Sequence, residues 1–264
     1  MRLHSTTIII FAVCFVLSGW TAAGGDRANW QPPADVDDLG QWAAEHGFEP
    51  LFNGRTFRGW KYHKDLEGRW KIVDGCITLV GNQPPRRRGR DYNLWTERSF
   101  RDFILIVDWR LTGKPVRRQM NDFTGDGLIK VDAKGRRVTH EILHAGDSGI
   151  YLRGSGRAQV NIWSQPMGSG DINSYHKDAS LPVEIRRACM PRVCADRPPG
   201  EWNRFVIVMQ GDRVTVFLNG QKVIDRAKLP GVPESGPIAL QNHGDPIQFR
   251  NLFLKPLGAE NSPR

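Results

Sequence analysis

The most conspicuous chemical motif in this 264-residue chain is the segment 140–144, His-Glu-Ile-Leu-His, which matches the H-E-x-x-H pattern of zinc metalloproteases. That chemistry requires a helix, because helical spacing places both imidazoles on one side of a metal. Here glycines flank the segment closely, and no third ligand follows at the usual spacing. We therefore predict a strand, with His140 and His144 on one side and Glu141 on the other.

A second set of residues has the chemistry of a sugar-binding surface. Charged groups, amides and aromatic rings alternate with apolar residues along several short segments. Such groups suit sugars because hydroxyls make paired hydrogen bonds, while the C–H face of a pyranose stacks on Trp or Tyr. If those segments are neighbouring strands of one sheet, one face displays Asp108, Arg110, Tyr151, Arg153, Gln159, Asn161, Trp163, Gln241 and His243. An ordinary solvated sheet face is the alternative interpretation.

A glycine-rich segment, residues 164–176, lies close in sequence to this face. Loops beside a rigid sheet often carry specificity. Asp171 and His176 both have side chains that can bind a ligand, but we favour solvated turn positions for the two residues.

The elements that must position these groups are short strands. Runs rich in Val, Ile, Phe and Trp recur between Gly, Pro, Asn and Asp, and Asn219-Gly220 is a typical hairpin turn. An acidic segment, residues 35–46, predicts one short helix. Because strands and helices do not alternate, we predict an all-β antiparallel sandwich or jelly roll. A hairpin is expected at 70–80, and strands at 103–111, 149–153, 159–163, 205–209, 213–218, 237–241 and 247–255.

Composition excludes several broad classes of protein. With 39% hydrophobic and 25% charged residues, the chain is not disordered, collagenous or polytopic, and its length suits one large β domain. The net charge of +9 comes from arginines spread along loops beside Gly and Pro. We therefore expect no nucleic acid partner, since such a partner requires basic residues clustered on one element with aromatic rings.

The N-terminus has the pattern of a secretory signal peptide. Arg2 precedes an apolar stretch at residues 8–17, and small residues follow up to Ala23. We predict a signal peptide over 1–23, an N-terminal segment with the short helix over 24–47, a β-sandwich domain over 48–257 and a tail over 258–264. The product is expected to be exported, periplasmic or secreted, with no membrane span.

Export permits disulfide bonds, and three cysteines follow the predicted signal peptide. Cys189 and Cys194 are close enough in sequence to close a small loop. We interpret Cys76, inside the predicted hairpin, as a small buried hydrophobe.

The order and spacing of several motifs resemble one family. The motifs fall at residues 51–60, 73–75, 100–105, 108–110, 147–154, 200–203, 218–220, 236–243 and 249–251. Over roughly residues 48–257 the chain resembles the 3-keto-disaccharide hydrolase family of exported bacterial proteins. The resemblance implies a concanavalin A-like jelly roll, related in shape to laminarinase-like glycosidases.

The resemblance also implies cleavage of glycosides whose sugar carries a ketone at C3. The ketone acidifies the C2 proton, and the glycosidic oxygen on C1 lies β to the carbonyl, so base abstraction at C2 expels the aglycone. Water then adds to the enone, which gives net hydrolysis. Such a site needs a base, a group that stabilises the enolate oxygen and a proton donor, rather than the paired carboxylates of an ordinary glycosidase.

Family residues carry over unevenly onto this chain. His243 matches a family histidine and is the candidate base or metal ligand. Arg153 matches a family arginine and is the candidate for gripping the keto or hydroxyl oxygens of the substrate. Asp108 stands where the family often has Glu. Many members have carboxylates around residues 159–163, where this chain has neutral Gln159 and Asn161, so the site is expected to act through Asp108, Glu141 or His243, with or without a divalent metal ion.

Tyr151, Gln159, Asn161, Trp163 and Gln241 complete the predicted substrate-binding set. The expected substrate is an oligosaccharide or glycoside, and the implied pathway needs an upstream glycoside 3-oxidoreductase to make the ketone. The alternative is a non-catalytic carbohydrate-binding jelly-roll module, which the neutral Gln159 and Asn161 favour.

Overall fold

A computed structural model of the chain describes residues 38–84 and 87–258. The predicted signal peptide, residues 24–37 of the N-terminal segment and residues 259–264 lie outside the described residues. The described part is mostly β-structure, and all of its strand pairings are antiparallel.

The described residues form fourteen strands in chain order. They are β1 (Glu49–Pro50), β2 (Trp70–Val73), β3 (Cys76–Leu79), β4 (Leu94–Trp95), β5 (Phe103–Leu111), β6 (Val116–Asn121), β7 (Thr139–His144), β8 (Asp147–Tyr151), β9 (Gln159–Trp163), β10 (Asn203–Gln210), β11 (Arg213–Leu218), β12 (Gln221–Lys228), β13 (Ala239–Leu240) and β14 (Ile247–Pro256).

Two sheets form the sandwich and a hairpin stands beside them. The larger sheet has eight strands in the order β12-β11-β10-β5-β14-β3-β2, with β1 paired to β14. The smaller sheet has four strands in the order β4-β13-β8-β9, and β6 pairs only with β7. The predicted all-β sandwich is therefore confirmed.

Alternation along the strands explains why the two sheets pack. On β5, Phe103, Leu105 and Val107 join the core between the sheets, whereas Asp108 lies on the opposite side. The smaller sheet contributes Val160 and Ile162 of β9 to the core, and both are fully buried. Burial of these apolar side chains determines which face of the smaller sheet points inward, because a register shift of one residue would turn the side chains towards solvent.

Within the described residues, three short α-helices accompany the strands, where the sequence predicted one. They are α1 (Leu39–Glu45), α2 (Asn173–His176) and α3 (Val183–Ala188), with a 3₁₀ turn at Lys64–Leu66. The side chain of Asp38 caps α1 by accepting a hydrogen bond from the amide of Gln41 at 2.9 Å. The other two helices span four and six residues, which is too short for a helical period to appear in the sequence.

The three cysteines of the described residues are free thiols. Cys76 is buried, as predicted, and the loop closure between Cys189 and Cys194 is not formed. Cys189 is buried at the end of α3, while Cys194 is exposed. No helix within the described ranges is long and apolar enough to cross a membrane.

Candidate functional site

The outer face of the four-stranded sheet carries most of the residues predicted to bind sugar. Register places Asp147 opposite Trp163, Gly149 opposite Asn161, and Tyr151 opposite Gln159. These pairs share the outer face, because Ile150, Val160 and Ile162 point into the core. We call this surface the outer face, and its members are Trp95, Asp147, Gly149, Tyr151, Gln159, Asn161, Trp163, Gln241 and His243.

Hydrogen bonds connect the middle of the outer face. Gln159 Nε2 donates to Gln241 Oε1 at 2.7 Å, and Gln241 Nε2 donates to the Tyr151 hydroxyl at 2.9 Å. The Tyr151 ring stacks on Trp95, with ring centroids 5.9 Å apart. Gly149 makes room for this arrangement, since a Cβ at that position would collide with the amide of Gln159. The result is a surface of fixed amides and one aromatic stack.

A charged cluster stands at one end of the outer face. His243 Nδ1 lies 3.5 Å from Asp147 Oδ2, and the amide of Asp147 donates to Asp245 Oδ2 at 3.0 Å. Burial raises the pKa of Asp147 to about 6, and the charge of Asp245 adds to the rise while His243 opposes it. A carboxyl group that titrates this close to neutrality, beside an accessible histidine, is a typical signature of acid–base chemistry.

Lys177 adds a cation to this end of the face. Its Nζ lies 5.2 Å from the ring centroids of both Trp163 and Phe123. Burial lowers the pKa of Lys177, while the charges of Asp171 and Asp147 raise it. The ammonium group is thus held over aromatic rings near Asp147.

Asp171 and His176 are not solvated turn residues, contrary to the prediction. Both are completely buried, and His176 Nε2 lies 3.0 Å from Asp171 Oδ2. Gln165 Nε2 donates to the other carboxylate oxygen of Asp171 at 2.8 Å. Tertiary packing of α2 against β9 accompanies this burial.

Asp108 lies in a different sheet from the outer face, so the expected shared surface does not include it. It belongs to β5 in the larger sheet, where Arg204 Nε donates to Asp108 Oδ1 at 2.6 Å and Asn251 Nδ2 donates to Oδ2 at 2.7 Å. Arg110, on the same side of β5, bonds Gln248. Alternation in the sequence predicts which side of its strand a residue faces, but it does not predict which sheet the strand joins.

Arg153 is also absent from the outer face. β8 ends at Tyr151, and Arg153 has a φ of 52°, so the alternation that placed its side chain outward does not reach it. The guanidinium is buried and donates to Asp102 Oδ1 at 2.7 Å and to the carbonyl of Gly211 at 2.7 Å. Arg153 therefore contacts loops of the framework rather than the surface.

The H-E-x-x-H segment is a strand, as predicted. It forms most of β7, and Glu141 pairs with Arg117 across the hairpin rather than facing the outer face. In a strand, His140 and His144 are about 13 Å apart. Among residues 38–84 and 87–258, no group of three or more His, Cys, Asp or Glu side chains is arranged to hold a metal ion.

Asp147 and Lys177 were not among the site residues predicted from the sequence. Asp147 does lie in the motif at 147–154, and register with Trp163 could have placed it on the face. Lys177 follows α2, and the path of the chain after β9 brings it to the outer face. No pattern in the sequence predicts that path.

An antiparallel β-sandwich whose outer face presents amides, aromatic rings and charged groups has the surface chemistry of a carbohydrate-active protein. The chain belongs to the family of 3-keto-alpha-glucoside-1,2-lyase-like domains, whose model matches residues 47–255. This confirms the resemblance predicted from the sequence motifs.

Individual relatives agree with this assignment. A protein from Bacteroides thetaiotaomicron named 3-keto-disaccharide hydrolase is 25% identical, over 85% of this chain and 83% of its own length. A crystal structure from Parabacteroides distasonis, described as a candidate glycosyl hydrolase, superposes with a TM-score of 0.51 at 19% identity. That likeness covers 83% of this chain and 97% of the other, and it supports the fold.

Proposed function

We propose that this protein cleaves 3-keto-glycosides at the charged end of the outer face. The observation that carries the proposal is the pair formed by Asp147 and His243, 3.5 Å apart, with the pKa of Asp147 raised to about 6. Asp147 becomes a carboxylate as pH rises through about 6, so near neutrality it can hold His243, the proposed base, and stabilise the protonated form of that histidine. The elimination needs one such base, and the paired carboxylates of ordinary glycosidases are not required.

In the proposed reaction His243 removes the C2 proton, and the electrons of that C–H bond move into the enolate of the C3 ketone. Asp147 holds the imidazole ring and stabilises the imidazolium that forms. Lys177 stabilises the enolate oxygen by its charge. The enolate then expels the C1 oxygen of the aglycone, which takes up a proton from the imidazolium, and water adds to C1 of the enone.

The remaining residues of the outer face are proposed to bind the substrate. Asp147 and Tyr151 are four residues apart on one strand, which spans about 13 Å. That length accommodates two sugar rings. One ring lies against Trp163 at the charged end, and the other lies over Gln241 and the Trp95–Tyr151 stack.

A chromogenic 3-keto-glucoside tests the proposal. We expect His243→Ala to lower kcat by about 10²- to 10⁴-fold, because a general base contributes on that order. His140→Ala is the matched control, since His140 is an exposed histidine of the β6–β7 hairpin. Equal rates for His243→Ala and the wild type would overturn the assignment, and a parallel assay with chelator tests the predicted option of a divalent metal.

A non-catalytic carbohydrate-binding module is the second candidate. Gln159 and Asn161 are neutral where many family members have carboxylates, and Gln159 is engaged with Gln241. Under this alternative the wild-type protein would bind the keto-glycoside, as measured by calorimetry, and release no aglycone.

Export and a preceding oxidation step complete the proposal. The N-terminal sequence supports removal of residues 1–23, which N-terminal sequencing of protein from a periplasmic fraction would test. A start at or near Gly24 is expected, whereas an intact Met1 would contradict it. The substrate must come from a reaction that oxidises the C3 hydroxyl of a glycoside, as a glycoside 3-oxidoreductase would.

A further inference from the structure

The side of the larger sheet that faces away from the core carries a second group of polar residues. Two rows of them lie in register across neighbouring strands, from β2 to β10. Residues opposite each other on antiparallel strands share one side of a sheet. We call this group the basic face, and its members are Lys71, Thr78, Gln248 and Arg110 in one row, Arg250, Asp108 and Arg204 in the next, and Trp202 directly before β10.

Positive charge exceeds negative charge on the basic face. Four of its members are cations, and Asp108 is its one carboxylate. Arg204 donates to both oxygens of Asp108, at 2.6 and 3.0 Å, and Asn251 donates to Oδ2 at 2.7 Å. Arg250 Nε lies 3.9 Å from the same oxygen, which is beyond hydrogen-bonding distance. The other three cations of the face therefore have no hydrogen-bonded carboxylate within it.

Two of these cations are already ordered. Arg110 Nε donates to Gln248 Oε1 at 2.8 Å. The guanidinium carbon of Arg110 lies 4.6 Å from the centroid of the Trp202 ring, and that of Arg250 lies 4.0 Å from it. The side chain of Arg250 is 42% exposed, and Arg110 is half-buried. An anion that binds the two groups loses little further side-chain entropy, because the indole already holds them.

The two arginine charges also act on the same neighbourhood. Burial raises the pKa of the Cys76 thiol, and the charges of Arg250 and Arg110 both oppose that rise. Both guanidinium groups therefore lie near this thiol and near each other. Like charges held together repel, and an anion that contacts both removes the repulsion. The planar guanidinium fork matches a carboxylate, which accepts two parallel hydrogen bonds from it.

The rest of the first row suits a sugar that carries more than one carboxylate. Thr78, which is half-buried, has a hydroxyl that can bond to sugar hydroxyls. Lys71 is exposed at the far end of the row, three strand spacings or about 14 Å from Arg110. That length accommodates two sugar rings. An acidic disaccharide can therefore place one carboxylate at each end of the row.

A nucleic acid fits the basic face less well. Binding of single strands depends on bases that stack on aromatic rings. Trp202, the one aromatic member of the face, already stacks with the guanidinium groups of Arg110 and Arg250.

We propose that the basic face is a second binding site, for a disaccharide unit built of two uronic acids. One carboxylate binds Arg110 and Arg250, the other binds Lys71, and the Thr78 hydroxyl bonds to sugar hydroxyls between them. The basic face belongs to the larger sheet and the outer face to the smaller one. This site therefore does not depend on the function proposed for the outer face.

Calorimetric titration of the full chain with digalacturonate tests the proposal. We expect saturable binding that weakens as the salt concentration rises, since charges attract the ligand. Maltose has two rings and no carboxylate, and sulfate has charge and no ring. At matched ionic strength, neither should displace digalacturonate at an equal concentration.

Four variants assign the binding to the basic face. Arg110→Gln and Arg250→Gln should each weaken it about 10- to 100-fold, as for the loss of a hydrogen bond between charged groups. Arg226→Gln is the matched control, because Arg226 is an exposed arginine of β12, which β10 and β11 separate from β5. Arg226→Gln and Trp163→Phe, on the outer face, should bind as the wild type does.

Several results would overturn the proposal. They are an absence of digalacturonate binding by the wild type, an affinity that both Arg110→Gln and Arg250→Gln leave unchanged, and an equal loss in Arg226→Gln or Trp163→Phe. Displacement by oligothymidylate at a lower concentration than digalacturonate would assign the face to nucleic acid instead. Thermal unfolding of each variant confirms that the compared proteins are folded, and Arg250→Gln, at an exposed side chain, tests the site even where Arg110→Gln loses stability.

Discussion

At the scale of single residues, environment separates carboxylates that the sequence treats alike. Asp147 and Asp108 both lie on strands in motifs typical of the family. Burial, with the charge of Asp245, raises the pKa of Asp147 to about 6 against the opposing effect of His243. Asp108 is paired with Arg204 at 2.6 Å on the other sheet. The first environment suits proton transfer, whereas the second stabilises a permanent ion pair.

The pH dependence of stability follows from Asp147. Its folded pKa of about 6 lies above the ordinary value of 3.8, so folding favours the protonated form. That contribution is complete below the ordinary value and is lost as pH rises through about 6. Relative to the wild type, Asp147→Asn should gain up to about 3 kcal/mol of unfolding free energy between pH about 4 and pH about 7.

Urea unfolding of both proteins at several pH values measures this difference, and a gap independent of pH would contradict it.

The proposed activity should show the opposite trend. The wild-type rate should rise with pH through about 6 as Asp147 ionises, and Asp147→Asn should lose that rise.

Asp108→Ala should affect stability more than turnover. The side chain is 5% exposed, and its removal leaves Arg204 and Asn251 without their carboxylate partner. We expect a loss of about 3 kcal/mol of unfolding free energy. Chemical unfolding and the keto-glucoside assay at a temperature where the variant is folded measure the two effects. A turnover loss as large as that of His243→Ala would restore Asp108 to the catalytic candidates.

At the scale of elements, β8 and β9 form the outer face because they are adjacent and in register. Their alternation places Asp147, Tyr151 and the residues opposite them on one side. Gln241, directly after β13, joins this face, and its backbone N–H donates to the carbonyl of Gly149. The side chain of Gln159 lies directly over Gly149, where a Cβ would collide with it.

Gly149→Ala tests this arrangement. A Cβ at position 149 would displace the Gln159 amide and disturb its bond to Gln241. We expect KM to rise roughly tenfold, with kcat less affected, because substrate binding rather than proton transfer is disturbed. Gly156→Ala is the matched control, since a Cβ there would contact nothing within 4 Å. An unchanged KM would argue against binding over Gly149.

At the scale of the whole molecule, Arg153 connects segments distant in sequence. It donates to Asp102 and to the carbonyls of Arg101, Gly211 and Pro233. These partners precede β5, follow β10 and precede β13. The arginine therefore connects these segments through four hydrogen bonds, which the planar guanidinium with its five N–H donors can make at once.

Arg153→Lys should lower the free energy of unfolding by about 2–4 kcal/mol, because one ammonium cannot reach all these acceptors. Arg157→Lys is the control. Arg157 is half-exposed and pairs with Asp178, so a loss below about 1 kcal/mol is expected. Guanidinium unfolding monitored by fluorescence measures both variants. Equal stability of the two would show that the buried contacts of Arg153 contribute little.

The sequence by itself determined the all-β class, the family and several of the residues that share the outer face. Period-two alternation and turn residues are local signals, so the strands at 103–111, 159–163 and 213–218 agree with the structure to the residue. Tyr151, Gln159, Asn161, Trp163 and Gln241 were placed together for the same reason.

The tertiary structure alone decided which of the chemically capable groups meet. Strand pairing between β5 and β10 moved Asp108 to the other sheet, a positive φ turned Arg153 inward, and burial raised the pKa of Asp147. Each of these outcomes depends on contacts between residues far apart in sequence. A local pattern predicts which side of a strand a residue faces, but not what lies against it.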